Sequence, residues 1–202
     1  VNNSAIGAPS GVAPLDENSN VPEQYLSFVQ TGTGAVARTV QGKLRDSVSV
    51  KDFGAIGDGT LHTVAEWIIP GALGRYVSLA ALQVDYPHVT ATMDSIDWAA
   101  IQAADNYAGP LGLPIVFPHA EYFLTKSAAL SSSVIGNASK IIVAASSNFS
   151  VFDFVSPSGK SVCGLRFEVQ GGGTVGNSCS ALAVRGETDT ITIEDVEAVG
   201  FN

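Results

Sequence analysis

The chain has 202 residues, of which 46% are hydrophobic and only 14% charged, and its formal net charge is −9 at pH 7. Nucleic-acid binding relies on phosphate neutralisation, and 10 Lys and Arg residues against 19 Asp and Glu residues exclude it as the main function. The same balance argues against an anionic membrane surface, and no stretch is long and apolar enough to predict membrane insertion. So little charge favours a β-rich repeat or an intimate oligomer over a bundle of amphipathic helices.

The start of the sequence and its cysteines set further expectations. Val1 is not an initiator methionine, and no basic segment followed by an apolar run indicates a signal peptide, so we expect a piece of a longer protein. We expect reduced, buried thiols at Cys163 and Cys179 rather than a disulfide. His62 and His88 lack a carboxylate at a spacing typical of a metal site, and no Cys/His cluster has zinc-site spacing. No metal or other cofactor is expected.

The first 47 residues predict a connector and a neck. Residues 1–34 are rich in Asn, Ser, Gly, Pro and Thr, a composition typical of a flexible linker. Residues 35–47 predict a short neck helix, because Val36, Val40 and Leu44 recur at i, i+4 and i+8. Such a narrow apolar stripe favours a seam between several chains, and we expect a parallel homotrimer joined there. A helix lying on the β domain is the alternative.

The stretch Val48–Gly59 combines a strand pattern with a tight turn. Its sequence is V-S-V-K-D-F-G-A-I-G-D-G, in which Val48, Val50 and Phe53 alternate with polar residues as in a half-buried strand. Three glycines and an aspartate follow in the second half, and glycine tolerates the positive φ angles of tight turns. A strand that enters a specified turn is therefore predicted.

Three motifs, taken in order, resemble the opening of one known domain. Besides Val48–Gly59, the segment Asp97–Ala104 (D-W-A-A-I-Q-A-A) is similar to a capping-helix motif, usually D-T-A-A-I-Q-A-A. Pro114–Leu124 is similar to a first-rung motif, usually V-x-F-P-x-G-x-Y, with His119–Glu121 in place of the usual P-G-x. Together they resemble the pectate-lyase-like β-helix domain of bacteriophage tailspikes and capsule depolymerases, over residues 36–202.

The resemblance implies a fold, partners and a location. The expected fold is mainly β: a linker and a neck helix, then the capped start of a right-handed parallel β-helix over residues 48–202, trimeric and continuing beyond residue 202. Short runs between residues 11 and 26 are similar to connector repeats of phage tail fibres, which implies attachment to a virion protein through the N-terminal side. The complete protein would be assembled in the host cytoplasm, reside in the phage tail, and recognise and degrade host surface polysaccharide.

Residues 94–108 predict the strongest helix of the chain. Asp94 and Asp97 favour its N-terminus, where carboxylates cap or complement the helix dipole, and Gly109 follows its end. The resemblance implies that this helix covers the open end of the β-helix, whose first strands would otherwise expose unpaired edges.

Residues 60–93 interrupt the family pattern and are treated as an insertion. Leu79 and Leu82 with Tyr86 predict one short helix in it. Because Trp67, Ile68, Ile69, Leu79 and Leu82 are too apolar to remain in water, we expect the insertion to fold over the capping helix or a neighbouring chain. Packing is favoured for Trp67, Tyr76 and Tyr86, and stacking on sugar rings is the alternative.

Beyond residue 113, short apolar runs recur between Gly, Ser, Asn and Pro turns, a pattern typical of a β-sandwich or a parallel β-helix. The predicted strands are Ile115–Phe117, Tyr122–Leu124, Ser133–Ile135, Lys140–Val143, Val151–Val155, Val162–Phe167, Ala181–Val184 and Thr190–Ile193. The capping motif favours the β-helix.

The acidic residues are the candidates for polysaccharide chemistry. Hydrolysis uses a carboxylate pair, whereas elimination uses a base and a cation. The candidates are Asp52, Asp58, Asp94, Asp97, Asp153, Glu168, Asp195 and Glu197. The first four are interpreted as turn and cap residues, and the last three as residues on exposed faces that line a groove. No catalytic residue is assigned, and this piece is expected to be inactive alone.

Three functions remain open from the sequence. The first is the N-terminal part of a tailspike whose complete form binds and degrades host polysaccharide. The second is a non-enzymatic structural segment of the virion. The third is a bacterial pectate-lyase-like polysaccharide lyase, which the fibre-like linker and neck disfavour.

Overall fold

The computed structural model describes residues 15–22, 25–145, 147–155, 159–176, 179–186 and 190–201. By its internal contacts the chain divides into two compact units, Val1–Asp46 and Ser47–Asn202. The first fourteen residues of the predicted linker, which include the start of the connector-like runs, lie outside the described residues. So do residues 157 and 158, which belong to the turn between the predicted strands Val151–Val155 and Val162–Phe167.

The N-terminal unit contains a two-stranded antiparallel sheet and a short helix. Strand β1 (Ser27–Phe28) pairs with β2 (Arg38–Thr39), and helix α1 (Val40–Leu44) follows directly. The Thr39 hydroxyl oxygen accepts a hydrogen bond of 2.9 Å from the Gly42 backbone N–H. This side chain caps the helix, so the helix begins at Val40 rather than earlier.

The prediction of one helix over residues 35–47 is therefore wrong in extent. Arg38 belongs to a strand, and its guanidinium binds the Asp46 carboxylate at 2.7 and 2.9 Å, which ties β2 to the end of α1. Val36 precedes the helix, and Val36 and Leu44 are 77% and 72% exposed. The predicted apolar stripe thus does not form one helical face within a single chain.

The C-terminal unit contains helices α2 (Leu79–Asp85) and α3 (Ile96–Ala108). Its strands are β3 (Val48–Ser49), β4 (Ile115–Phe117), β5 (Glu121–Leu124), β6 (Ala128–Leu130), β7 (Val134–Val143), β8 (Phe152–Val155), β9 (Lys160–Val169), β10 (Leu182–Arg185) and β11 (Ile191–Val199). The prediction of β4 is confirmed, whereas β6 was not predicted. A 3₁₀ helix over Val50–Phe53 replaces the second half of the predicted opening strand, because Ser49 caps it and Gly54 ends it at φ 95°.

The strands described in this unit pair in parallel and form two sheets. The larger has the order β11–β9–β7–β4–β3, with β5 also paired to β7, and the smaller has the order β10–β8–β6. From β6 onward the chain alternates between the sheets, and each strand pairs with the strand of the next repeat in its own sheet. The register places Val134, Val162 and Ile193 in one row. The predicted stacking of short β repeats is therefore confirmed.

A stack of aromatic side chains forms the core beneath these strands. Phe117, Phe152 and Phe167 are fully buried, and the ring centroids are 5.7 Å apart in the first pair and 5.2 Å in the second. They come from β4, β8 and β9, so the stack joins the two sheets. Each such buried side chain contributes about 1.5–3 kcal/mol to folding.

The long strands of the larger sheet bend at one level. Ala138, Gly164 and Asp195 have left-handed φ angles of 54°, 67° and 52° and lie in β7, β9 and β11. Gly136 and Gly164 bring two backbones so close that a Cβ on either residue would collide with the carbonyl oxygen of the other. The bend in β7 falls between the two predicted strands Ser133–Ile135 and Lys140–Val143, which the structure merges into one.

Helix α3 covers the edge of β6 that faces away from β8. Gln102 Nε2 donates to the Ala129 carbonyl at 2.8 Å, and Gln102 Oε1 accepts from the Ala129 N–H at 2.9 Å. One helical turn further on, the Asp105 carboxylate accepts from the N–H groups of Ser131 and Ser132 at 2.9 Å each. These side chains take the place of a neighbouring strand, so the predicted covering of an unpaired edge by this helix is confirmed.

The start of α3 differs from the prediction. Ser95, not Asp94, is the N-cap, because its hydroxyl oxygen accepts from the Trp98 N–H at 3.3 Å. Asp94 instead closes the preceding turn by accepting from the Ala91 N–H at 3.1 Å, and it pairs with Lys126 at 2.7 Å.

Asp97 is buried and joins α3 to two distant segments, so its interpretation as a helix-terminal charge was incomplete. Its carboxylate accepts from the N–H groups of Ile56 and Gly57 at 2.7 and 3.2 Å and from that of Phe123 at 2.8 Å. Burial raises the pKa of Asp97, and the three hydrogen bonds oppose that rise. This one side chain fastens α3 and β5 to the loop at residues 54–59, which is called the opening loop.

Residues 60–93 pack through an aromatic cluster. Trp67 and Tyr86 are buried with ring centroids 4.9 Å apart, and the Tyr86 hydroxyl donates to the Phe53 carbonyl at 2.8 Å. His88 Nε2 lies 2.8 Å from the Ala99 carbonyl of α3. Packing against the capping helix within one chain is therefore confirmed, as is the short helix, which is α2. The expected burial of Ile69 is wrong, because this residue lies in the turn after Trp67 and is 55% exposed.

Candidate functional site

A row of charged side chains crosses the larger sheet. The parallel register places Glu121, Lys140, Arg166 and Glu197 side by side on β5, β7, β9 and β11. Lys140 Nζ lies 2.9 Å from Glu121, and Arg166 Nη1 lies 2.9 Å from Glu197. Glu168 of β9 lies 3.4 Å from Lys140 and 3.2 Å from Arg166. These five residues are called the charged row.

The charged row neutralises most of its own charge. Each of its two cations contacts two carboxylates, and the hydrogen bond to Glu121 is the main cause that raises the pKa of Lys140. Exposed pairs of this kind contribute at most about 1 kcal/mol each. Glu168, expected on an exposed face, is held between two cations rather than left free to act as a base. The sequence analysis missed Lys140 and Arg166, because only the strand register brings these residues to their partners.

A concave cavity of about 420 Å³ lies at the bend of the larger sheet, next to the charged row. Its lining residues are Ala138, Gly164, Leu165, Arg166, Asp195, Val196 and Glu197. Of the three residues expected on exposed faces along a groove, Asp195 and Glu197 line this cavity and Glu168 does not. The cavity brings two carboxylates and one guanidinium to the same surface, which suits hydrogen bonding to a hydroxyl-rich ligand.

The other acidic candidates lie elsewhere. Asp153 is in the smaller sheet, where its Oδ1 forms an ion pair with Arg185 Nε at 3.0 Å. The angles of this contact are not those of a hydrogen bond. Asp52 is exposed in the 3₁₀ helix after β3, in keeping with its interpretation as a turn residue. Asp94 and Asp97 serve the cap region. The eight candidates therefore do not converge on one catalytic centre among the described residues.

His62 has two carboxylate partners that the sequence analysis missed. Asp58 and Glu66 lie four residues before and after it, and their oxygens lie 2.9 Å from Nε2 and 2.8 Å from Nδ1. Asp58 also accepts from the Thr60 N–H at 2.9 Å, which confirms its interpretation as a turn residue. The loop and the 3₁₀ helix over Val64–Trp67 bring both carboxylates to the ring, and only the fold shows these contacts.

The aromatic and thiol candidates are structural. Trp67 and Tyr86 are buried, and the Tyr76 hydroxyl donates to Asp85 at 2.7 Å, so packing rather than sugar stacking is confirmed for the aromatic cluster. Burial, with the hydrogen bond to Asp85, raises the pKa of Tyr76 to about 12. Both cysteines are free thiols; Cys179 is buried as expected, whereas Cys163 is partly exposed.

Two further features are absent from the described part of the chain. No group of three or more His, Cys, Asp or Glu side chains there has an arrangement that could hold a metal ion. None of its helices combines the length and the apolarity needed to cross a membrane.

Parallel strands that alternate between two sheets, with a helix covering one edge, define a capped parallel-sheet repeat protein. Similar solved structures are tailspike proteins of bacteriophages. Tailspike protein gp49 of Pseudomonas phage LKA1 is 34% identical, with 54% of this chain and 17% of that chain covered and a TM-score of 0.41. Tailspike gp61 of Pseudomonas phage phi297 is 28% identical, with 62% and 18% covered and a TM-score of 0.36. Tailspike protein 3 of bacteriophage CBA120 is 16% identical, with 88% and 26% covered and a TM-score of 0.46.

These structural matches to phage tailspike proteins agree with the resemblance predicted from the motifs. This chain spans only 17% to 26% of the length of those three proteins. No protein-family model and no curated protein matches the sequence.

Proposed function

We propose that this chain is the capped N-terminal part of a phage tailspike whose complete form recognises and degrades host surface polysaccharide. The observation that carries the proposal is the covered edge of β6, where the side chains of α3 satisfy the backbone. Strands then stack in one direction only, away from the cap toward β10 and β11. A repeat stack of this kind offers an extended side surface, which suits a chain-like ligand.

A right-handed parallel β-helix is the proposed form of this stack. Ala138, Gly164 and Asp195 have left-handed φ angles, and each divides its long strand into two straight segments. The strand of the smaller sheet is the third straight segment of each repeat. Crossover connections between parallel strands are right-handed in nearly all proteins, which supports the handedness.

Association into a homotrimer through the N-terminal unit is part of the proposal. None of the described residues between 15 and 46 is buried, and Phe28, Val36 and Leu44 are among its exposed apolar side chains. A two-stranded sheet is only marginally stable by itself, so contacts with other chains supply the missing burial.

Sedimentation tests the trimer. Replacing Val40 and Leu44 by Asp places charges at the proposed seam, and we expect the association to weaken. Replacing Lys51, which lies outside the seam, by Asp serves as a charge-change control. A wild-type chain that sediments as a monomer at micromolar concentration contradicts the trimer. The proposed fold does not depend on that result.

We further propose that residues 1–202 alone do not degrade polysaccharide. Asp94 and Asp97 at the start of α3 are engaged in hydrogen bonds to the backbone, and Glu168 is engaged in the charged row. The test incubates the purified chain with capsular polysaccharide of the phage host and measures new reducing ends and the absorbance of unsaturated uronates. Turnover that Glu168→Gln or Asp195→Asn abolishes contradicts the proposal and places a catalytic site in the early repeats.

A purely structural segment is the second candidate function. The pairing of Lys140 and Arg166 with carboxylates favours it, because these cations are not available to an acidic glycan. Binding of the isolated chain to the polysaccharide, measured by calorimetry, would contradict the structural candidate, since a structural segment binds none.

A further inference from the structure

An imidazole and two carboxylates join the opening loop to the start of the 60–93 segment. His62 Nε2 lies 2.9 Å from Asp58 Oδ2, and His62 Nδ1 lies 2.8 Å from Glu66 Oε2. The Thr60 hydroxyl donates to Asp58 Oδ1 at 2.8 Å, and its oxygen lies 2.9 Å from His62 Nε2. Asp58, Thr60, His62 and Glu66 are called the His62 clamp.

The geometry of the clamp requires a proton on each ring nitrogen. Nε2 faces a carboxylate and a hydroxyl oxygen whose own proton is already donated, and Nδ1 faces a second carboxylate. A neutral imidazole carries one N–H only, so it would leave one nitrogen lone pair facing an acceptor. Hydrogen bonds to Glu66 and then Asp58 raise the pKa of His62, in agreement with this requirement.

The clamp lies where three parts of the chain meet. Asp58 belongs to the opening loop between two glycines of positive φ. The His62 carbonyl accepts from the Ile96 N–H, in the first turn of α3, at 2.9 Å. Glu66 accepts from the Thr63 N–H at 3.0 Å and so caps the 3₁₀ helix that ends in the buried Trp67. A change in the position of His62 would therefore alter contacts with both the insertion and α3.

We propose that the His62 clamp is a protonation-controlled fastening, which holds the start of the insertion to the opening loop while His62 is charged and loosens it when His62 loses its proton. Besides Asp58 and Glu66, the titratable groups on neighbouring elements are Glu121 of β5, paired with Lys140, and the buried Asp97 of α3, which interacts with the charge of Asp58. Glu121 and Asp97 are acidic and favour the charged imidazole, whereas Lys140 offsets the charge of Glu121.

Proton linkage gives the direction of the effect. The folded pKa of His62 is above its ordinary value of 6.5, so the clamp contributes fully below 6.5 and is lost as the pH rises through the folded pKa. Asp58 and Glu66 have lowered pKa values, and they lose their charge only in acid. The clamp is therefore closed in the interval between the titration of the carboxylates and that of His62.

Two measurements on the 202-residue chain test the proposal. The first follows the imidazole signals of the three histidines by NMR as a function of pH, with His62→Gln, His88→Gln and His119→Gln to assign them. The second follows tryptic cleavage at Arg75, the only Lys or Arg between Lys51 and Lys126 in the sequence, normalised at each pH to an unfolded peptide substrate.

We expect the His62 signal to titrate with a pKa above 6.5. Over the same pH range, the rate of cleavage at Arg75 should rise about three- to tenfold, which is the range for losing one exposed charge-assisted hydrogen bond. His62→Gln should abolish the rise and cleave at the fast rate throughout, and His119→Gln should keep the wild-type profile. A His62 pKa at or below 6.5 in the wild-type chain overturns the proposal. This result stands even if the His62→Gln variant fails to fold. Cleavage that stays constant while His62 titrates overturns the fastening role.

Discussion

Gln102 of α3 and Ala129 of β6 exchange two hydrogen bonds, one of 2.8 Å from the side-chain amide to the carbonyl and one of 2.9 Å from the backbone N–H to the side-chain oxygen. A primary amide carries a donor and an acceptor side by side, as a peptide group does. The glutamine side chain therefore replaces one residue of a missing strand. Asp105 does the same for two N–H groups further along this edge.

Removing this amide tests the cap. We expect Gln102→Met, which keeps the volume but loses both hydrogen bonds, to lower the free energy of unfolding by about 1–3 kcal/mol, because two backbone groups lose their partners. Urea unfolding followed by circular dichroism measures the change. Tyr107→Phe removes a polar group from the exposed face of the same helix and should change little. Equal effects of the two substitutions would contradict the strand-replacement interpretation.

At Asp97, removing a buried charge is expected to lower the free energy of unfolding rather than raise it. In Asp97→Asn one carboxylate oxygen becomes an NH₂ group, so at least one of the N–H groups of Ile56, Gly57 or Phe123 faces a donor. We expect a loss of about 1–3 kcal/mol at neutral pH, despite the relief of burying a charge. Asp52→Asn is the exposed control. Thermal unfolding that shows a stabilised Asp97→Asn would mean that desolvation outweighs the three hydrogen bonds.

The close approach at the sheet bend gives a matched pair of glycine substitutions. Gly164 and Gly159 have φ angles of 67° and 69°, but only Gly164 has a backbone neighbour that a Cβ would strike, whereas Gly159 has open space. Both alanine variants incur the left-handed strain of about 1–2 kcal/mol. We expect Gly164→Ala to lose more, since the Gly136 strand must move. Equal unfolding free energies for the two variants would show that the strands at the bend are farther apart.

We expect Asp58 to contribute to the fall of the unfolding free energy at acid pH. Burial acts to raise its pKa, but hydrogen bonds from the Thr60 backbone, His62 and the Thr60 hydroxyl outweigh burial and lower the pKa from 3.8 to about 2. A lowered folded pKa gives stability that is present above 3.8 and lost as the pH falls toward 2. We expect Asp58→Asn to flatten the pH dependence of the unfolding free energy in that interval. Glu17→Gln, in the N-terminal unit, should leave it unchanged.

The sequence alone predicted the elements whose signals are local. Strand β4 and helices α2 and α3 follow from apolar periodicity, and the positive φ angles of Gly54, Gly57 and Gly59 follow from the lack of a Cβ. The family motifs also predicted that α3 covers a strand edge. Periodicity and motif order are properties of neighbouring residues, so they can be read without the fold.

Local sequence patterns gave wrong predictions where two neighbouring residues suit the same position equally well. Ser95 and Asp94 are both good N-cap residues, and the position of Lys126, a residue distant in sequence, decides that Asp94 closes the preceding turn instead. The stripe Val36, Val40 and Leu44 has helical spacing, yet Thr39 and the Arg38–Asp46 pair start the helix late. Spacing does not report which backbone groups already have partners.

Only the tertiary structure decided the candidate site. Glu121, Lys140, Arg166 and Glu197 become neighbours through the register of parallel strands, and a shift of one residue would turn alternate members to the opposite face. The pairing of His62 with Asp58 and Glu66 likewise depends on the path of a loop. The sequence determined strand β4, the turn glycines and the capping helix, because those depend on local periodicity and chemistry. Which side chains share a surface depends on how distant segments align, and that was settled only when the repeats stacked.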